Sequence, residues 1–387
     1  MSKVNRWLLG VLIFAAGIGF SDRWARAGDA PPQPIVVTMN LVAPEAPALN
    51  EAVARLARAL KRAGIEMRQE RTAGVKDRDA TAAKGPRILL LHEGGLEAAK
   101  WSREVGLENW PLNDGYRIKP LPDKTKGQGL VVASRQMRGL LYGSHALAEE
   151  IERQGTLPFG LDVRSEPRFA VRGWASQLED FWCRWMGGSP DWFQNDRYLT
   201  YLRDSFSRAP SYRINTFSLM GRGEIGELHT FINYDHWDRL AARQSPEARV
   251  RARRQAEVLE GLARDAQRFG VRLFLWDHEL QLPPDFASAY PQVRGQGAPI
   301  CLSSPEVWRL LEDKYEEFFR QTPSLAGIVL VLSETQIKVL AGPPCPLWTV
   351  SIPWQVLRLR YQRSQPDTDS RLASADLSRS RHTEAEL

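Results

Sequence analysis

Acidic side chains recur just past the apolar runs in the second half of this sequence. Glu179 and Asp180 follow the run 171–175, Glu224 follows 213–220, Asp277-His278-Glu279 follows 271–276, and Glu334 follows 325–332. A carboxyl at the end of a buried strand sits in a poorly solvated pocket, which raises its pKa and suits it to deliver a proton. Two such groups can cleave a glycosidic bond, at separations of about 5–5.5 Å for retention or about 6.5–9.5 Å for inversion. The cluster after Trp276 is the most informative, although solvated charges lining a cleft fit the same residues. One His and two acids in consecutive positions rarely converge on one ion, so no metal is expected.

Aromatic and basic residues accompany the acids. Thirteen Trp is a high count, and Trp174 and Trp276 fall in predicted strands, where flat rings suit sugar faces or, equally, the core. Arg222 lies in Gly221-Arg222-Gly223, a lone Gly pair that reads as a strand-end loop. Other signatures are missing from the sequence: there is no Gly-x-Ser-x-Gly elbow, phosphate loop or His-Glu-x-x-His motif. No cofactor is expected. Cys183, Cys301 and Cys345 lie far apart without metal-ligand spacing, and one pair of them can bridge in an oxidising compartment.

The elements that must hold these residues fall into two groups. Strands are predicted over 35–42, 65–69, 87–92, 116–121 and 130–134, with helices over 48–63, 96–105 and 138–153. They make a small α/β domain over 34–155, and 156–167 reads as a linker. Strict alternation follows: strands at 171–175, 213–220, 271–276 and 325–332, with helices at 196–208, 246–269 and 305–320. Buried apolar strands alternating with helices argue a parallel sheet covered by helices. The long loops all follow strands, which suits a TIM-type barrel with its site at the strands' carboxyl ends. A full barrel has eight strands and about 250 residues. The fold class is therefore α/β, a small α/β N-terminal domain followed by the first half of such a barrel, about four β/α units within 168–347. A genuine four-unit open sheet is the other arrangement that fits. Residues 348–387 are poor in core-forming side chains and read as a disordered or aberrant tail.

The N-terminus carries a transport signal. Lys3 and Arg6 precede the apolar run Trp7 to Phe20, and Ala25-Arg26-Ala27 offers a small-x-small cleavage site. The run is short for a spanning helix, which needs about twenty apolar residues; an uncleaved anchor is the alternative. The expected product begins near Gly28, is periplasmic or extracellular, and has no stable membrane insertion. A net charge of +6, spread through the sequence beside acidic residues, gives no case for nucleic acid. Oligomeric state is not legible.

Two stretches carry a resemblance to a known group. Arg138-Gly139-Leu140-Leu141-Tyr142-Gly143 and Glu166-Pro167-Arg168-Phe169-Ala170-Val171-Arg172-Gly173-Trp174 resemble a junction in glycoside hydrolases. There a small α/β domain, shared by family 20 β-hexosaminidases and family 67 α-glucuronidases, leads into the catalytic barrel. Arg213-Ile214-Asn215 matches the Arg/Lys-x-Asn sequence of their second barrel strand. The resemblance implies a catalytic acid just after the fourth strand, at Glu334; a solvated Ser333-Glu334 helix start is the other reading of that pair. It also implies a second carboxylate, for which Asp277 is the first candidate beside Glu179, Asp180, Glu224 and Glu279; Trp174, Arg222, Trp276 and Glu279 are the residues expected to line a carbohydrate site. Ser333 stands where hexosaminidases place an Asp, which argues against acetamido-assisted attack. Leu330 stands where α-glucuronidases place a Lys, a role for which Arg172 or Arg222 is a substitute. The implied protein is an exported glycoside hydrolase acting on poly- or oligosaccharides, α-glucuronidase-like and impaired by truncation. A non-catalytic glycan-binding or scaffolding protein is the alternative.

Overall fold

The computed structural model describes residues 36–43, 46–71, 85–95, 98–122, 128–177, 186–189, 191–220, 228–278, 282–283, 285–294 and 304–331. The predicted signal segment, the 348–387 tail, Glu179, Asp180, Arg222, Glu224, Glu279 and Glu334 lie outside them. The chain forms two compact units, 1–170 and 171–387.

Unit 1 is built on a six-stranded sheet. Its strands are β1 (Val36–Val42), β2 (Glu66–Arg71), β3 (Arg87–His92), β4 (Tyr116–Pro120), β5 (Gly129–Ser134) and β6 (Val163–Ser165). Their order is β2-β1-β3-β5-β4-β6. β4 runs antiparallel to both neighbours and the other pairs are parallel. Helices α1 (Pro47–Arg62) and α3 (Met137–Gln154) pack together on one face, over Ile88, Leu90, Leu130 and Val132. Helix α2 (Ala98–Glu104) covers Leu89, Leu91, Val131 and Ala133 on the other. Both faces are covered, so β3 and β5 are apolar at nearly every position rather than alternating.

The linker expectation for 156–167 needs correction. Leu157, Phe159, Leu161 and Val163 pack against the core beneath α1 and α3, and Val163–Ser165 pairs with β4 as the last strand of the sheet. Their two-residue apolar period is a strand signal, obscured by the surrounding turn residues Gly155, Pro158 and Gly160.

Among the described residues, the longer elements of unit 2 alternate: β7 (Gly173–Gln177), α4 (Asp196–Arg208), β8 (Thr216–Met220), α5 (Pro246–Arg268), β9 (Arg272–His278), α6 (Pro305–Gln321) and β10 (Gly327–Val331), with short helical turns at Asp238–Ala241 and Phe286–Ala289 in the connections. The four strands are parallel in the order β10-β9-β8-β7. Local chemistry sets the helix starts. Asn195 Oδ1 accepts the Tyr198 amide at 3.0 Å, and Ser245 Oγ accepts the Ala248 amide at 3.1 Å, each satisfying a donor the helix cannot. Leu202 and Phe206 of α4, Leu259 and Leu262 of α5, and Leu310 and Phe318 of α6 join one core with Phe217, Leu219, Leu273 and Leu275 of the strands. All three helices therefore cover one face. Sequential parallel strands with helices on a single face are the construction of a barrel wall, so unit 2 is a partial barrel of β/α units.

Candidate functional site

In a wall of this kind the site is built at the strands' carboxyl ends. Met220, Trp276 and Val329 lie in one register row there. Successive strand residues point to opposite faces, so this row faces away from the helices, whose face holds Leu219 and Leu275. Trp276 is half-buried in that row and stands on the face a barrel turns inward.

Trp174 is not brought to the same place. Its register partner is Phe217, in turn aligned with Leu273, about 10 Å back along the strands at ~3.3 Å per residue. Its ring stacks on Phe217 at 6.4 Å, on the helix-facing side, and is 50% exposed. Arg172 lies earlier still, before β7 begins, so it does not supply the rim cation sought for a uronate.

Asp277 belongs to β9, not to a loop. The strand continues two residues past the apolar run that ends at Trp276, and the alternation turns the carboxylate toward α6. There Asp277 Oδ2 accepts a hydrogen bond from Lys314 Nζ at 3.2 Å, with both side chains fully enclosed. That placement answers its charge and turns it away from the face that carries Trp276. Around the pair, burial and the neighbouring Lys314 ammonium press the His229 pKa down to about 4. Burial, then the charges of Asp277 and Glu317, raise that of Tyr234. Glu317 is itself raised by burial, while accepting the Asn233 amide at 3.3 Å and Gln321 Nε2 at 2.8 Å. Lys314 is the residue that sequence reasoning missed. The signal existed: with Val307, Leu310, Leu311 and Phe318 it occupies the apolar stripe of α6.

The motifs that carry the family resemblance turn out to be packing devices. Gly139 and Gly143, one helical turn apart, let α3 close onto the sheet. A Cβ on Gly143 would stand 2.6 Å from Val132 Cγ1, and one on Gly139 would overlap Ser134 Oγ and the Gly115 carbonyl oxygen. Asn215 is fully buried at the amino-terminal end of β8. Its Oδ1 accepts the Arg172 amide at 2.9 Å and the Thr216 hydroxyl at 3.1 Å, while Arg172 Nε donates to the Arg213 carbonyl at 2.6 Å. These residues lock β7 to β8 at the end opposite the site, where barrel residues serve stability.

Among the described residues, no group of three or more His, Cys, Asp and Glu is placed to hold a metal ion, and no helix is long and apolar enough to cross a membrane.

No protein-family model and no curated protein matches the chain. Solved structures do. The fold is similar to that of a family 138 glycoside hydrolase targeting pectin rhamnogalacturonan II, with a TM-score of 0.51 and 17% identity over 77% of this chain and 39% of that one. A family 84 protein, CpGH84D (TM-score 0.45, 12% identity, 77% and 42% covered), and the family 20 β-N-acetylhexosaminidase of Streptomyces coelicolor A3(2) (0.42, 15%, 74% and 53%) align more loosely. The chain thus spans 39% of the first of these proteins. At such identity the likeness is one of fold.

Proposed function

We propose that this chain acts on carbohydrate, as a glycoside hydrolase-like protein whose site lies at the carboxyl ends of β7 to β10. The observation that carries the reading is the row of Met220, Trp276 and Val329 on the inward face of a parallel, one-sided wall, with acids following each strand in sequence. Glu334, just beyond β10, is the general acid of this reading, and Arg222 and Glu279 complete the sugar contacts. The second carboxylate comes from Glu179, Asp180, Glu224 or Glu279, since Asp277 is committed to Lys314. Export through the N-terminal signal would bring the protein to extracellular polysaccharide. Uronate-containing oligosaccharides are the first substrates to try, because the similar family 138 enzyme targets a pectic polysaccharide and the sequence resembles α-glucuronidases.

The test is reducing-end release from rhamnogalacturonan II oligosaccharides and aryl α-glucuronides, alongside binding to the same compounds. Turnover lost in Glu334→Gln with binding retained supports the enzyme. A glycan-binding role is the second reading, favoured by the withdrawal of Asp277 into an ion pair. It predicts binding without turnover, unaffected by Glu334→Gln. A chain that neither binds nor cleaves any of these compounds overturns both.

A further inference from the structure

Trp237 is a joint between three parts of unit 2. It lies in the connection from β8 to α5, buried to 3% exposure, and opens the short turn Asp238–Ala241. Its indole Nε1 donates to Asp313 Oδ2 of α6 at 2.8 Å, and the Arg309 guanidinium, one turn earlier on that helix, stands 4.7 Å over the ring. Phe286 and Tyr290, from the connection between β9 and α6, meet the indole edge-to-face at 5.9 and 5.1 Å. The turn after Trp237 reinforces the bridge. Arg239 Nη1 donates to the Ala289 carbonyl at 3.1 Å, its guanidinium 5.5 Å over the Tyr290 ring, and Arg243 donates to Ser288.

Packing alone does not call for this construction. Tyr234 holds φ at +53°, the left-handed region that bulky side chains rarely adopt. Its carbonyl accepts the Trp237 amide at 2.8 Å, closing the turn that delivers the indole. Strain of this kind persists only where the surroundings over-determine it, and it clusters at functional sites. The joined connections leave the carboxyl ends of β8 and β9, where a barrel wall builds its site. Arg222, Glu224 and Glu279 fall within them in sequence.

We propose that Trp237 is a positioning residue: it locks the connections after β8 and β9 to α6 and to each other, so that both meet a carbohydrate ligand as one rigid rim. The inference rests on the carbohydrate reading of those strand ends. Trp237 itself is enclosed and works through the two connections, not by touching the ligand.

Amide exchange and binding, measured on the full chain, separate positioning from packing. In the wild type, 228–241 and 286–293 are expected to open as one cooperative unit, with the same dependence on urea. Trp237→Leu keeps an apolar side chain but loses the donor and the ring. It is expected to speed exchange about tenfold over 286–293, in the other connection, while β7 to β10 keep their wild-type rates. Affinity for rhamnogalacturonan II oligosaccharides should fall about tenfold with it, because the rim is no longer held. Trp237→Phe, which restores the ring contacts, should recover the exchange rates and most of the affinity. Exchange over 286–293 that is unchanged in Trp237→Leu, or that rises equally through the strands, would overturn the proposal and leave Trp237 a packing residue. So would uncoupled connections with wild-type affinity. If the wild-type chain binds none of the oligosaccharides, the carbohydrate reading fails, and exchange alone decides whether the rim is joined. Should Trp237→Leu not fold, Arg239→Ala, which removes the Ala289 contact from an exposed side chain, is judged by the same rates.

Discussion

Asn215 shows how much of this chain's recognisable signature is structural. Replacing it with Ala removes the buried acceptor of the Arg172 amide and the Thr216 hydroxyl. The expected cost is about 1–3 kcal/mol in urea unfolding, with ligand binding at the far end of the strands unchanged. Gly143→Ala is expected to cost a similar ~1–3 kcal/mol through overpacking against Val132. The Arg-Gly-Leu and Arg-x-Asn patterns were visible in the sequence, but a pattern does not say which end of a strand it occupies, and both proved to be contacts between elements. His145 gives a pH signature. Burial, then the charges of Arg55 and Arg58, lower its pKa from 6.5 to about 4, against the raising effect of Glu152. Above pH 6.5 both folded and unfolded chains hold it neutral, and stability is unaffected. As pH falls from 6.5 toward 4 the unfolded chain takes the proton first, so stability falls, by up to about 3 kcal/mol. His145→Gln should flatten the dependence of the unit 1 transition on pH over that window; an unchanged slope would refute the assignment.

At the scale of elements, the well-patterned ones were legible and the polar exceptions were not. β3 and α4 occupy the expected ranges because an unbroken apolar run after Gly85-Pro86 and an amphipathic stretch opened by an Asn cap leave little choice. β9 runs longer than its apolar run because Asp277 is a strand residue made tolerable by Lys314, a partner distant in sequence that no local period reveals. β6 was hidden among turn residues. Its approach carries a direct prediction: Leu157→Ala should destabilise unit 1 by about 2–5 kcal/mol, since Leu157 is 5% exposed. A residue in a solvated linker would change stability by no more than about 0.5 kcal/mol, and chemical denaturation of the full chain distinguishes the two. The paired helices α1 and α3 are joined by Arg55 and Glu152, with contacts of 2.5 and 2.8 Å, reinforced by Arg62 at 2.9 Å. That link is partly exposed and should contribute no more than about 1 kcal/mol.

Across the whole molecule, a mixed α/β unit precedes a parallel, one-sided β/α wall, and the likeness to the family 138 enzyme, over 77% of this chain, is one of fold. Fold alone does not fix function; the proposed reading puts the chemistry at the strand ends, where Trp276 is the one expected site residue that the described structure leaves on the inward face. The most direct measurement is calorimetric titration of the full chain with rhamnogalacturonan II oligosaccharides, for the wild type, Trp276→Ala and the surface control Tyr212→Ala. The prediction is wild-type binding, preserved in the control and weakened about tenfold or more without the indole. Absence of wild-type binding, or binding indifferent to Trp276, would contradict it.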